Sequence, residues 1–279
     1  MIRLVTDSTA DFTVEQAEAL GIIVVPLTVS FGDETYLDNI ELDNALFYEK
    51  LQSSKALPQT SQPAPGKFQA AYTRLIEEGA DGILSLHLSS KLSGTYQSAC
   101  TARDTLPAEM KHVPIEILDS ESISVGMSYV LRKAAEEASA GESLETIKKN
   151  IIDRLARTRI IAVLDTLEYV KRGGRIGGAR ALLGNMLSVK PIISLKNGEV
   201  IPMEQPRTRS KAYARIAQLL TEMKPVESVY IAEASEEVGA QLAEALKTVY
   251  TEEIPRYKLG GVLGAHTGPG TVALSVVSK

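Results

Sequence analysis

The chain has few residues that could form disulfides or bind metal ions. Its 279 residues include one cysteine and three histidines, and tryptophan is absent. Cys100 has no second cysteine to pair with, so an internal disulfide is excluded. His87, His112 and His266 lack the spacing of a metal-ligand motif. We therefore expect no metal site and interpret Cys100 as a small buried apolar residue.

A basic surplus and long apolar runs are also missing. The net charge is −5, which counts against bulk binding of nucleic acid. The longest apolar stretches, such as Ile22–Leu27, are too short to span a bilayer, and the N-terminus runs directly into a strand pattern. Hydrophobic residues make up 44% of the chain and charged residues 23%, which are ordinary globular values. We expect a cytoplasmic protein without stable membrane insertion.

The first half alternates apolar runs with segments of helical period. The predicted strands are Ile2–Val5, Ile22–Val29, Ile83–Leu88 and Ile115–Leu118. Helices are predicted over Val125–Ala138 and Leu144–Arg157. This alternation is typical of a parallel sheet covered by helices on both faces. Residues 1–158 are therefore predicted to form a three-layer α/β/α domain.

Beyond Thr158 the strands become shorter. They are predicted over Ile160–Leu164, Pro191–Leu195, Val200–Met203 and Val229–Ala232, with helices over Ser210–Met223 and Glu237–Tyr250. The pair Asn197-Gly198 indicates a tight hairpin. Residues 159–279 are predicted to form a two-layer α/β domain.

Two hydroxyl-rich segments are candidates for binding an anion. Ser93 and Gly94 follow a buried strand and open a predicted helix, where free N–H groups and the helix dipole favour negative charge. Thr60 and Ser61 precede a proline-stiffened turn into another helix. If the segments converge, they can hold a carboxylate without a formal positive charge. Either segment alone is equally well explained as a helix cap.

His266 lies among glycines near the C-terminus, where Gly-Pro-Gly predicts a turn. A single histidine is more often structural, but beside an anion it can donate a hydrogen bond. Ser93 and His266 together leave an acyl hydrolase open as an alternative. The G-x-S-x-G motif is absent, and no aspartate is placed by sequence to orient the histidine.

Basic residues concentrate in one part of this acidic chain. Eight Lys or Arg and two acids lie between Arg154 and Lys190. A second cluster consists of Arg207, Arg209, Lys211 and Arg215. Solvated helix faces explain many such runs, whereas arginines between glycines also suit a docking or phosphate-handling surface. A basic interaction module is therefore a third functional reading.

Taken in order, these segments closely resemble the DegV family of bacterial fatty-acid-binding proteins over essentially the whole chain. The most specific pieces are Thr60-Ser61-Gln62-Pro63, Leu92-Ser93-Gly94-Thr95-Tyr96-Gln97-Ser98, Gly173-Gly174-Arg175-Ile176 and His266-Thr267-Gly268-Pro269-Gly270. The resemblance implies a parallel-sheet α/β/α domain, a two-layer α/β domain with a mixed sheet, and an apolar tunnel between them.

The resemblance also implies the ligand and its contacts. A long-chain fatty acid would bind with its carboxylate held by Thr60, Ser61, Ser93, Gly94 and His266. The residues implied for gating or partner docking are Arg172, Arg175, Arg207 and Arg209. Family members that work with a fatty acid kinase present the carboxylate for phosphorylation, and the acyl phosphate feeds phospholipid synthesis. The chain is thus expected to be a monomeric lipid carrier with no catalytic residues and no cofactor.

Overall fold

The computed structural model describes residues 1–54, 56–185 and 189–279. The strands are β1 Ile2–Asp7, β2 Ile22–Val25, β3 Thr28–Phe31, β4 Glu34–Leu37, β5 Gln59–Ser61, β6 Gly82–His87, β7 Ile115–Asp119, β8 Thr158–Val163, β9 Ile192–Lys196, β10 Glu199–Glu204, β11 Val226–Glu233, β12 Arg256–Lys258 and β13 Val272–Ser278. The helices are α1 Val14–Ala19, α2 Asn44–Ser53, α3 Pro65–Glu77, α4 Thr95–Asp104, α5 Val125–Ser139, α6 Leu144–Arg157, α7 Glu168–Arg172, α8 Arg209–Glu222, α9 Glu236–Leu246 and α10 Gly261–Thr267. Short 3₁₀ segments lie at Ser8–Ala10, Ala108–Met110 and Gly177–Asn185.

The first half contains a parallel sheet with strand order β2-β1-β6-β7. Successive side chains of a strand point to opposite faces, so both faces of β1 can carry buried apolar residues. Leu4 packs in a core with α1, α5 and α6, and Val5 packs in a second core with α3 and α4. The predicted three-layer α/β/α arrangement is confirmed.

The second half contains a mixed sheet with strand order β10-β9-β8-β13-β11-β12. Its pairs are antiparallel except for β11 with β12. Ile161 and Val163 pack against α8 and α9 on one face. Ile160 and Ala273 face the other way and pack with Val125 of α5. The two-layer prediction is confirmed. The face of this sheet that has no helices of the second half on it, here called the bare face, packs against the first half.

A small antiparallel sheet, β4-β3-β5, is an element that the sequence analysis did not anticipate. The predicted single strand Ile22–Val29 is wrong, because the chain divides into β2 and β3 at Pro26. Proline has no N–H to donate to a ladder, and its ring restricts the backbone. After this break the chain leaves the parallel sheet and β3 pairs with β5, which carries Thr60 and Ser61.

The predicted hairpin is confirmed, and it also fixes the loop after β6. Asn197 and Gly198 connect β9 to β10 with φ of 50° and 78°, the positive values of a tight two-residue turn. The Ser89 hydroxyl donates to the Gly198 carbonyl at 2.7 Å. A Cβ on residue 198 would lie 2.3 Å from the Ser89 Oγ, so this contact needs glycine. Across the described ranges, no helix combines the length and apolar character needed to cross a bilayer.

Candidate functional site

A cavity of about 350 Å³ lies between the bare face of the mixed sheet and the carboxyl end of the parallel sheet. Its size falls within the range of roughly 300–1,000 Å³ that is usual for small-molecule sites. Most of its wall is aliphatic, from Leu27, Leu88, Leu92, Ile123, Ile160, Ala162, Val170, Ile193, Leu195, Val200, Leu259, Val262, Leu263 and Ala273. An apolar chain is therefore the kind of ligand that this space suits.

Four of the predicted carboxylate contacts line this cavity: Thr60, Ser61, Ser93 and His266. They come from β5, the loop between β6 and α4, and α10, which are distant in sequence. The Thr60 hydroxyl and the His266 Nε2 are 2.8 Å apart. The structure thus brings the hydroxyl segments and the histidine to one place, as the convergence argument requires.

The loop that carries Ser93 follows β6, one of the two strands at which the order of the parallel sheet reverses. Ligands of open α/β sheets bind at the carboxyl ends of strands at such points. The Ser93 Oγ accepts a hydrogen bond from the Thr95 backbone N–H at 3.3 Å and lies 2.9 Å from the Thr95 hydroxyl. The helix begins at Thr95 with Gly94 as its N-cap, so it starts two residues after the predicted opening at Ser93, which lies one residue before the N-cap.

Gly94 is beside the cavity rather than in its wall. A Cβ on residue 94 would lie 2.1 Å from the Gln62 Oε1, so the glycine makes room for the Gln62 side chain. Gln62 itself lines the cavity and donates to the Ser98 hydroxyl at 3.1 Å. Gln62 belongs to the segment Thr60-Ser61-Gln62-Pro63 but is not among the predicted contacts, although an amide among hydroxyls is itself a polar signal.

The other hydroxyl groups in the cavity wall are already engaged as donors. Ser194 donates to the Ile160 carbonyl at 2.6 Å, Thr267 to the Leu263 carbonyl at 2.8 Å, and Thr271 to the Thr267 carbonyl at 2.8 Å. Ser124 donates to the Asp11 carboxylate. Because their protons point into the protein, these residues add little polarity to the cavity. The polar character is therefore concentrated at the end that holds Thr60, Ser93 and His266.

His266 is held in its neutral form by its surroundings. Burial, followed by the nearby charge of Arg175, lowers the pKa of His266 from 6.5 to about 4. Its Nδ1 is buried and has no hydrogen-bond partner among the described residues. Gly173 lies against the ring, since a Cβ there would be 2.2 Å from the Nδ1. A neutral imidazole has one donor and one acceptor, and the Thr60 hydroxyl takes up the one at Nε2.

The four arginines predicted for gating or docking lie in different environments. Arg175 lines the cavity and donates to the carbonyls of Leu92 at 3.1 Å and Gly173 at 2.6 Å, so a formal positive charge does lie at the polar end. Arg172 is exposed and pairs with Glu168. Arg207 is exposed. Arg209 is half-buried in an ion pair with Asp165 and also donates to the Gly270 carbonyl at 3.0 Å.

A polar depression of about 530 Å³ adjoins the polar end of the cavity on the outside. Thr60, Arg175 and His266 belong to both spaces. Tyr169, Arg172 and Gly173 add to the outer wall. The polar end of the cavity therefore lies next to a surface region that carries Arg172 and Arg175.

The arrangement required for a Ser93–His266 hydrolase is not formed by the described contacts. The His266 Nε2 bonds Thr60, and the Ser93 Oγ bonds Thr95. A Ser-His-Asp row does occur elsewhere, with Ser85 Oγ 2.7 Å from His87 Nε2 and His87 Nδ1 3.0 Å from the Asp7 carboxylate. All three of these residues are fully buried, so a substrate has no access to them.

Fold and site together define a two-sheet α/β protein with an apolar cavity that ends in a hydroxyl and imidazole cluster. The chain belongs to the DegV family, whose model, described as one of uncharacterised proteins, matches residues 1–279. A DegV domain-containing protein of Halalkalibacterium halodurans is 37% identical over 281 residues, covering 98% of this chain and 97% of that protein.

Solved structures share the fold over the whole chain. A structure of fatty acid binding by a DegV family protein from Thermus thermophilus has a TM-score of 0.90 at 34% identity and covers 100% of this chain and 99% of the other. DegV of Bacillus subtilis, described as a fatty acid binding protein, has a TM-score of 0.88 at 35% identity with the same coverage. The predicted family is confirmed.

Proposed function

We propose that this protein binds a long-chain fatty acid, with the acyl chain in the cavity and the carboxylate at Thr60, Ser61, Ser93 and His266. Gly94 contributes by admitting Gln62 beside them. The observation that carries this proposal is the uneven polarity of the cavity: four of its hydroxyls donate to backbone carbonyls or to Asp11, whereas those of Thr60 and Ser93 are paired with His266 and Thr95, in pairs where either partner can be the donor. An amphiphile with one polar head and one apolar tail matches that distribution.

The acyl chain provides most of the affinity in this proposal. Each methylene removed from water contributes about 0.8 kcal/mol, and this gain is reduced by the costs of association and ordering. The head group provides orientation, because a carboxylate inside an aliphatic wall would be left without donors. The Thermus thermophilus and Bacillus subtilis relatives, both described as binding fatty acid, support this ligand class.

We further propose that the protein is a carrier, cytoplasmic and monomeric, that presents the bound carboxylate to a fatty acid kinase. The acyl phosphate would then enter phospholipid synthesis. The polar depression beside His266 supports this idea, because it opens next to the head group and carries Arg172 and Arg175. No cofactor and no catalytic residue of this chain are required for such a role.

The first test of binding is analysis of the lipid extract of purified protein, followed by titration of delipidated protein with a long-chain fatty acid. We expect a stoichiometric fatty acid in the extract. Ser93→Ala is expected to weaken binding by about 1–3 kcal/mol, because one ligand oxygen loses a donor. Ser194→Ala is the matched control, since its hydroxyl lines the same cavity but donates to the Ile160 carbonyl.

Unchanged affinity in Ser93→Ala would remove that residue from the head-group site. An empty protein that also takes up no added fatty acid would overturn the proposed function. The acyl hydrolase alternative would gain support only if the protein cleaved a chromogenic acyl ester and Ser93→Ala abolished that cleavage.

A further inference from the structure

We propose that Asp11 and Asp38, two buried carboxylates outside the cavity wall, position His266 by holding the N-terminus of α10. This inference rests on the proposed fatty acid site, because it assigns these two residues to the placement of the head-group histidine.

Helix α10 has little tendency to form by itself. It spans seven residues and contains Gly261 and Gly264. Glycine in a helix interior costs about 1 kcal/mol relative to alanine, and isolated helices shorter than about 12–15 residues are marginal in water. Contacts from the rest of the protein must therefore decide where this helix lies and how it is oriented.

The glycines of α10 permit very close packing against α2. A Cβ on residue 264 would lie 2.4 Å from the Phe47 ring and 3.0 Å from the Tyr48 hydroxyl. A Cβ on residue 261 would lie 3.0 Å from the same Phe47 ring. Side chains of α2 thus define the face on which the helix rests, but aromatic contacts alone do not stop it from sliding along its axis.

The two carboxylates provide that axial restraint. Asp11 Oδ1 accepts a hydrogen bond from the Gly260 N–H at 2.9 Å, and Asp38 Oδ1 accepts one from the Val262 N–H at 3.2 Å. These N–H groups belong to the first turn, where a helix has no partners of its own and where negative charge is favourable. Asp11 and Asp38 lie far from α10 in sequence, so the caps tie the helix to the first half of the protein.

The opposite end of α10 carries His266. Val262 and His266 are four residues apart, which is about 6 Å along a helix axis. The imidazole fits between the Thr60 hydroxyl and the backbone of Gly173, and a Cβ on residue 173 would already clash with it. A shift of the helix along its axis therefore moves the ring out of hydrogen-bond distance of Thr60.

The two carboxylates differ in their charge. Burial raises the pKa of Asp11 to about 8 and that of Asp38 to about 6. The charge of Asp7, at the end of β1, raises both pKa values further, that of Asp38 raises the pKa of Asp11, and Asp11 in turn raises the pKa of Tyr48 of α2. At neutral pH Asp38 is mainly ionised and Asp11 mainly protonated. Asp38 is therefore the stronger cap, and Asp11→Asn imitates the form that already predominates.

The test compares Asp38→Ala with Ile147→Ala, a substitution in the buried core of α6. Both variants are expected to lower Tm, so a general loss of stability is matched between them. The readout is the imidazole Cε1–H signals in a ¹H–¹³C spectrum, one from each of the three histidines. The exposed His112 serves as the reference. We expect Asp38→Ala to displace or broaden the His266 signal and weaken fatty acid binding about tenfold or more.

Ile147→Ala is expected to leave both the His266 signal and the affinity unchanged below its Tm, and Asp11→Asn to change affinity less than threefold at pH 7. An unaltered His266 signal in Asp38→Ala, or an equal change in Ile147→Ala, would overturn the positioning role. If Asp38→Ala does not fold, Asp38→Asn replaces it, with the same direction expected for the signal. Failure of wild-type protein to bind fatty acid would refute the proposed function instead, and the imidazole spectrum would still decide the positioning.

Discussion

At the scale of single residues, the protonation of His266 determines what the polar end can offer to a ligand. Burial and the charge of Arg175 both disfavour the imidazolium form, and burial has the larger effect. The ring is consequently a neutral donor or acceptor at physiological pH. Positive charge at the site comes from the Arg175 guanidinium.

We expect an NMR titration of His266 to show a midpoint near pH 4. Arg175→Gln is expected to raise the midpoint while leaving it below 6.5, because burial remains. Because the pKa of His266 is lower in the folded state, its contribution to stability is present above pH 6.5 and declines as the pH falls towards 4. A midpoint above 6.5 in wild-type protein would contradict this environment.

At the scale of elements, the end of α7 and the helix α10 meet at His266. Gly173 is the C-cap of α7, and its missing side chain leaves the space that the imidazole occupies. Gly174 has a φ of 75°, but a Cβ there would meet no atom within 4 Å. Two adjacent glycines therefore serve different purposes, one for packing and the other for backbone conformation.

Gly173→Ala and Gly174→Ala separate these two purposes. We expect Gly173→Ala to weaken fatty acid binding at least tenfold, because the new methyl group displaces the imidazole from Thr60. Gly174→Ala is expected to cost about 1 kcal/mol of stability through its positive φ and to leave affinity nearly unchanged. Titration with fatty acid and urea unfolding measure the two effects. Equal affinities for the two variants would contradict the displacement of the imidazole by the new methyl group.

The strands and helices with strong periodicity were predictable from the sequence. Ile83–Leu88 and Leu144–Arg157 lie where their patterns indicate, as β6 and α6. The helix α10 was missed, since its glycines carry no helical signal and its stability comes from partners remote in sequence. The small sheet was missed for a related reason: β5 has three residues and forms only by pairing with β3.

The site was predictable as a set of residue types but not as a geometry. Thr60, Ser61, Ser93 and His266 were named from hydroxyl-rich segments, a glycine-rich turn and a family resemblance, and the structure places all four on one cavity. That Ser194 and Thr271 lie in the same wall and donate to the Ile160 and Thr267 carbonyls depends on the pairing of β9 with β8 and on the end of α10. No local pattern encodes it.

At the scale of the whole molecule, the two halves share a wide apolar contact. We propose that the domains divide as predicted, at residue 158, where α6 ends and β8 begins. The division is not clean, because α10 from the second half packs with α2 and β3 of the first. An aromatic contact also crosses it, with Arg132 of α5 placed between the rings of Phe12 and Tyr257. The cavity is thus bounded by both halves and depends on their fixed arrangement.

The proposed presentation of the ligand to a kinase involves the outer surface of the protein, and a substitution of Arg172 tests it. We expect Arg172→Glu to lower the rate at which a fatty acid kinase phosphorylates the bound fatty acid by fivefold or more, without altering fatty acid affinity. Arg74→Glu is the matched control, since Arg74 also forms an exposed i,i+4 ion pair, with Glu78, on another face. Surface pairs of this kind contribute about 0–1 kcal/mol to stability. Equal rates for the two variants would exclude docking through Arg172.

The inward-facing hydroxyls described in the cavity wall also affect how the protein responds to compression. The aliphatic part of the wall offers no free donor, and an apolar space of this kind stays dry, so that part of the cavity is a void in the ligand-free protein, which unfolding eliminates. Unfolding then reduces the total volume, and hydrostatic pressure favours it. An acyl chain fills this void, so we expect the fatty-acid-bound protein to unfold at a higher pressure than the ligand-free protein.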